Sequence, residues 1–116
     1  MKLPIENHIF LICVSVGLIS ILAGWILMKY PPKEINSLYG YRTKSSMKNQ
    51  ERWNFAQQYS GKEMMRSGGI LSLFGGIGFF YDPGEYISMA IGLGAMILSF
   101  VILIFRVENA LKRRFR

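Results

Sequence analysis

Long uncharged stretches alternate along the chain with polar, basic ones. Residues 9–28, 67–81 and 87–105 contain no Asp, Glu, Lys, Arg or His. As helices these runs are apolar on every side, not along one stripe, which is the pattern of a helix in an apolar medium. About 20 such residues cross the roughly 30 Å of a bilayer's hydrocarbon, and the first and third runs approach or meet that length. The second run is shorter and holds Gly68, Gly69, Gly75, Gly76 and Gly78. Carried back through Met64 it becomes a span at about 64–81, with Arg66 reaching toward the headgroups. Asp82-Pro83-Gly84-Glu85 puts Pro and then Gly at the centre of a turn, so runs two and three are expected to form an antiparallel hairpin. The pattern predicts an all-α integral membrane protein with three transmembrane helices at about 9–28, 64–81 and 87–105. A segment 29–63 joins the first two, and a basic tail occupies 106–116.

Small residues recur at helical spacing in these runs. Gly68, Ser72 and Gly76 lie four apart, as do Ser20 and Gly24, Ser88 and Gly92, and Ala90 and Gly94. In lipid, such stripes let helix backbones approach closely. Packing among the three spans is the expected use.

Composition sharpens the class. The chain has 116 residues, 51% of them hydrophobic. A soluble domain of that size could not bury three helices that are apolar all round. The first run exceeds the ~7–15 residues of a signal-peptide core, and Ile21-Leu22-Ala23 is a poor cleavage site, so a retained helix is expected. With one cysteine, Cys13, and one histidine, His8, neither a disulfide framework nor a metal-ligand set is expected. Gly75-Gly76-x-Gly78 lies in an apolar run and follows no strand, so it is not a nucleotide fingerprint. Neither enzymatic activity nor a cofactor is expected.

The net charge of +7 could suggest nucleic acid, but the basic residues flank the apolar runs and no nucleic-acid partner is expected. Residues 29–66 hold eight basic and three acidic residues, and the tail holds five basic residues and one acid, Glu108. The amino end, with Lys2 and Glu6, is balanced, and the turn carries Asp82 and Glu85. By the positive-inside rule the 29–63 segment and the tail face the cytoplasm of a bacterial plasma membrane, and the amino terminus faces outward. Lys112-Arg113-Arg114 and Arg116 then suit anionic lipids of the cytoplasmic leaflet.

The joining segment is unusually aromatic, with Tyr30, Tyr39, Tyr41, Trp53, Phe55 and Tyr59. Pro31-Pro32 ends the first helix. Asn36 to Thr43 predicts an irregular turn around Gly40, and Ser46 is a fair N-cap. From there to Ser60 a helix is expected at headgroup level, a cytoplasmic interfacial helix between spans one and two, with Gly61 ending or kinking it and Trp53 as an interfacial anchor.

The order Asn36, Tyr39-Gly40-Tyr41-Arg42-Thr43, Ser46, Asn49, Trp53 and Ala56 between membrane spans resembles the SdpI/YfhL family of bacterial membrane proteins. The resemblance runs from about Pro31 to about Phe105. The founding member is an immunity protein against a secreted, membrane-acting killing peptide, the SDP toxin, and it also holds a repressor at the membrane. The resemblance therefore implies protection from a peptide toxin, by binding the toxin or guarding its target. It makes Asn36, Tyr39, Gly40, Tyr41, Arg42, Thr43, Ser46, Asn49 and Trp53 the candidate partner-binding motif. The chain looks like a short stand-alone member, expected to be without the founding member's extra amino-terminal membrane module, so a cytoplasmic repressor as partner is the secondary reading. A small transporter is a third, disfavoured because the three uncharged runs carry no ionisable group, Glu63 and Arg66 sitting only at the edge of span two. For Arg42 two roles stay open: its planar fork recognises a ligand, or it binds a lipid phosphate as an anchor. The oligomeric state has no signal in the sequence.

Overall fold

A computed structural model describes residues 6–115; Lys2 and Arg116, which enter the charge pattern above, lie outside the described residues. Three helices follow one another: α1 (His8–Lys29), α2 (Gln50–Gly75) and α3 (Glu85–Arg114), with a 3-10 turn at Gly76–Phe79. The body measures 54 × 25 × 20 Å. Its long axis exceeds the ~40–45 Å of a bilayer with its headgroups.

Two of these helices, α1 and α3, are long and apolar enough to cross a membrane. At 1.5 Å per residue α1 is about 33 Å long and α3 about 45 Å. Their outward faces are bare hydrocarbon: Leu18, Ile19 and Leu22 on α1, and Ile97, Leu98 and Val101 on α3, are all more than half exposed. Water would not tolerate so continuous a patch, but lipid would. The end of α1 that follows Asn7 is capped by that residue, whose Oδ1 accepts from the N–H groups of Ile9 and Phe10 at 2.9 and 3.2 Å. The Asn7 amide also donates to the Tyr81 carbonyl at 3.1 Å, tying the start of α1 to the segment just after the 3-10 turn. The turn before α3 uses Gly84 in the left-handed region, φ 108°, where a Cβ would be strained. Its N–H donates to Asp82 Oδ1 at 3.2 Å.

The middle helix departs from expectation in three ways. First, it begins at Gln50, not after Ser46. Asn49 is the N-cap, accepting from the Arg52 N–H at 2.9 Å, while the Ser46 hydroxyl is spent inside the preceding turn. Second, α2 runs unbroken through Gly61, so the described residues show one continuous helix where the sequence pattern predicts an interfacial helix and a separate span. At Gly61 the missing side chain admits Met28 of α1 instead of ending the helix: a Cβ there would lie 2.6 Å from Met28 Cγ. Third, regular α-helix stops at Gly75, short of residue 81.

Helices α1 and α2 meet through glycine. A Cβ on Gly68 would stand 2.5 Å from the Gly17 carbonyl oxygen, and one on Gly24 would stand 2.5 Å from that of Gly61. Ser20 adds a cross-helix bond, its hydroxyl donating to the Met64 carbonyl at 2.8 Å. Ser72 lies on the same seam, bonding back to the Gly68 carbonyl at 2.8 Å. Gly76 does not, since nothing lies within 4 Å of where its Cβ would be. Gly75 takes that place against Val14, 2.7 Å from its Cγ2. Adjacent helical positions point about 100° apart, so only one of the two can face α1.

Buried residues gather in two clusters. Ile9, Cys13 and Leu71 pack with Val16, Ile91 and Ala95 near the start of α1. At the other end Ala56, Val107 and Leu111 pack with Tyr41, Phe55, Tyr59 and Phe115. That second cluster carries the polar segment.

Candidate functional site

The segment between α1 and α2 is built like a clasp. Trp53 is fully buried, and its indole N–H donates to the Pro32 carbonyl at 2.7 Å. It is thus an interior strut holding down the Pro31-Pro32 exit, not an anchor facing lipid. Asn36 Oδ1 accepts from the N–H groups of Leu38 and Tyr39 at 2.9 and 2.7 Å, folding the turn locally. The Tyr39 hydroxyl donates back to the Tyr30 carbonyl at 2.7 Å and so satisfies an orphan acceptor at the end of α1.

Gly40 turns the chain with φ 109°. A side chain there would be strained and would also strike Gln57, whose Oε1 would lie 2.6 Å from the new Cβ. Gln57 is 1% exposed and clamps the next residue from both sides. Its Oε1 accepts from the Tyr41 N–H at 2.7 Å, and its Nε2 donates to the Tyr41 carbonyl at 2.9 Å. Ser46, fully buried, closes the turn: its hydroxyl accepts from the Thr43 N–H at 2.9 Å and contacts the Tyr41 carbonyl at 3.1 Å, and its own N–H donates to the Thr43 hydroxyl at 3.1 Å. Together these partners satisfy the backbone of a segment that has no regular structure of its own.

The candidate residues therefore serve different parts. Trp53, Ser46 and Asn49 are framework, with Asn49 at the α2 cap. Tyr39, Gly40, Tyr41, Arg42 and Thr43 converge on one rim. They overhang an open-sided groove of about 500 Å³, walled by Ala23 and Leu27 of α1, Met64 of α2, and Phe100, Leu103 and Ile104 of α3. Arg42 is exposed and donates from one guanidinium nitrogen to the Ser37 carbonyl, so part of its fork is already used and the rest faces outward. Beneath the rim the Tyr41 phenol is pushed well above its ordinary value, first by burial and then by the charge of Glu108 on α3. It is therefore a neutral hydroxyl at any physiological pH.

The polar partners that fix this site were not singled out from the sequence. Gln57 lies one turn after Trp53 and one before Ser60 and Gly61, on the face of α2 that turns out to be buried. A polar side chain on such a face is a signal for a buried hydrogen-bond clamp. The sequence pattern places Glu63 at the edge of span two. It is 8% exposed and binds Arg106 of α3 in a fork, accepting from Nε at 2.9 Å and from the second guanidinium nitrogen at 3.0 Å. Arg52 donates to Ser45 Oγ at 3.1 Å and to the Phe115 carbonyl at 3.0 Å. Phe115 packs edge-on against Phe55 at 5.7 Å, and Arg114 lies 5.9 Å over the Phe55 ring. The end of the tail is thus folded onto α2, with Lys112, Arg113 and Arg114 exposed.

Three helices, two of them bare hydrocarbon outside, with a polar clasp at one end, define a small helical membrane protein. A family model for the SdpI/YfhL protein family matches residues 33–106, the stretch from the clasp to the end of the apolar part of α3. The chain is also 38% identical over 87 residues to the uncharacterized protein YfhL of Bacillus subtilis (strain 168), covering 74% of this chain and 76% of that one. The chain belongs to the SdpI/YfhL family. No solved structure matches it significantly.

Proposed function

We propose that this protein protects a bacterial cell from a secreted, membrane-active peptide, and that it does so by holding the peptide in the groove beneath Tyr39–Thr43. The carrying observation is the make-up of that groove: an apolar trough open to the hydrocarbon, roofed at one end by a rigid polar rim. An amphipathic peptide lying in the bilayer needs both surfaces at once. Membership of a family associated with immunity supports the same reading. The rim is pre-organised by Gln57, Ser46 and Asn36, so little ordering entropy opposes binding.

In this reading α2 is the third crossing, its polar first half at the headgroups and its glycine-rich second half in the hydrocarbon. The basic clasp and tail then lie in the cytoplasm and the amino terminus outside. In that orientation the groove opens in the inner half of the bilayer.

The test is survival. Sensitive bacteria with and without the protein are challenged with SDP peptide and with a panel of other membrane-active peptides. Protection against at least one peptide, absent for a soluble pore-independent antibiotic, is expected. Equal killing with and without the protein across the panel contradicts the proposal.

A further inference from the structure

A second cleft, on the opposite flank of the clasp, has a different chemistry. It lies between α2 and α3, has a volume of about 570 Å³, and is lined by Tyr59, Phe105, Arg106, Asn109, Lys112 and Arg113. The five α3 residues recur at spacings of one, three, three and one, so they share one helix face. Three of the six lining residues are cations and none is an acid. Arg106 is fixed in place by its fork to Glu63, whereas Lys112 and Arg113 are exposed. Phe105, 66% exposed, is the last residue of the uncharged run and stands where hydrocarbon gives way to headgroups.

We propose that this cleft binds the phosphodiester headgroup of an anionic phospholipid, with the acyl chains running down α3 past Phe105. Lys112 and Arg113 meet the phosphate beside Arg106, whose Nε and one terminal nitrogen are held by Glu63, and Asn109 and the Tyr59 phenol have the hydrogen-bonding capacity for the glycerol. A zwitterionic lipid is a poorer ligand, because no carboxylate lines the cleft to receive its ammonium group. Phosphate recognition by a cation cluster beside an apolar helix end is the arrangement expected of a lipid site between membrane helices. The inference rests on α3 lying in a bilayer, and it stands apart from the peptide-binding reading.

The test uses the full chain in neutral detergent, titrated with phosphatidylglycerol while the thermal midpoint is followed. Matched titrations use phosphatidylethanolamine and inorganic phosphate. Lys112→Gln/Arg113→Gln removes two exposed cations from the cleft. Lys44→Gln/Lys48→Gln removes the same charge outside it. Phosphatidylglycerol is expected to stabilise the wild type, and the cleft variant is expected to bind it roughly thirty-fold more weakly, at about 1 kcal/mol per basic residue. The Lys44/Lys48 variant is expected to keep wild-type affinity. Equal losses in the two variants would reduce the effect to general surface charge and overturn the site. So would equal stabilisation by phosphatidylethanolamine, or full stabilisation by inorganic phosphate alone.

Discussion

Gln57 holds Tyr41 by both of its backbone groups, accepting from its N–H at 2.7 Å and donating to its carbonyl at 2.9 Å. One buried side chain thereby does for a loop residue what a neighbouring strand would do in a sheet. Gln57→Leu keeps a similar volume but leaves the Tyr41 N–H without this partner in a half-buried place. A buried donor left unsatisfied costs about 1–3 kcal/mol. The expected result is a lowered thermal midpoint in detergent together with loss of toxin protection. A Gln57→Leu protein with wild-type stability would show that the clamp is not what holds the rim.

The α1–α2 seam makes a paired prediction. Gly68→Ala should destabilise, because its methyl group would stand 2.5 Å from the Gly17 carbonyl oxygen. Gly76→Ala should not, since that position is open and has ordinary helical angles, φ −61° and ψ −19°. Accumulation in the membrane and the thermal midpoint would read both. If the two variants behaved alike, the helices would not meet as described.

Much of the fold was legible in the runs of apolar residues, because hydrocarbon on all sides leaves an all-round apolar helix. That logic placed α1 and α3 and, with Pro83-Gly84, the turn before α3. It was weaker for α2, where framework and lipid-facing positions interleave. Ser46 and Asn49 are both good caps, and the choice between them depended on whether the Ser46 hydroxyl was already engaged by Thr43. Gly75 and Gly76 are chemically identical, and only the position of Val14 on another helix separates them. Trp53 looked like a membrane anchor because its partner, the Pro32 carbonyl, is 21 residues away. The Glu63–Arg106 pair spans 43 residues, beyond any local pattern. The motif around Gly40 was visible as a motif; its division into framework and rim residues came from burial.

Alkaline pH should loosen the clasp through Tyr41. Its folded-state pKa is raised above the ordinary phenol value of about 10, so its contribution is complete below that value and declines as pH rises above it. The wild type is expected to lose thermal stability between about pH 10 and pH 11 more steeply than Tyr41→Phe, whose residue has no proton to lose. Parallel slopes for the two proteins would contradict the burial of this hydroxyl beside Glu108.

The Glu63–Arg106 fork should behave asymmetrically. Arg106→Met leaves a carboxylate in a nearly buried site without its partner, whereas Glu63→Gln/Arg106→Met removes both charges. Burying an unpaired charge is far worse than replacing the pair. The double variant is expected to accumulate better than Arg106→Met alone, measured as protein in the membrane fraction. Equal accumulation would mean that Glu63 finds water in the folded protein.

Arg42 separates recognition from anchoring. Arg42→Lys keeps the charge but cannot donate to the Ser37 carbonyl and present a planar fork outward at the same time. Both Arg42→Lys and Arg42→Ala are expected to insert normally, since seven other basic residues remain in 29–66. Both are expected to lose most protection when survival is normalised to inserted protein. Full protection by Arg42→Lys would assign the residue to lipid anchoring.

The groove itself offers the most direct measurement. Ile104 lines it and is 48% exposed, so Ile104→Trp fills the trough without entering the core. Ile97, 58% exposed on the same helix, lies outside the groove, and Ile97→Trp adds the same bulk elsewhere. Survival of cells under peptide challenge, normalised to membrane-inserted protein, should fall to the unprotected level for Ile104→Trp and stay at the wild-type level for Ile97→Trp. Full protection by Ile104→Trp would contradict the groove as the place where the peptide is held.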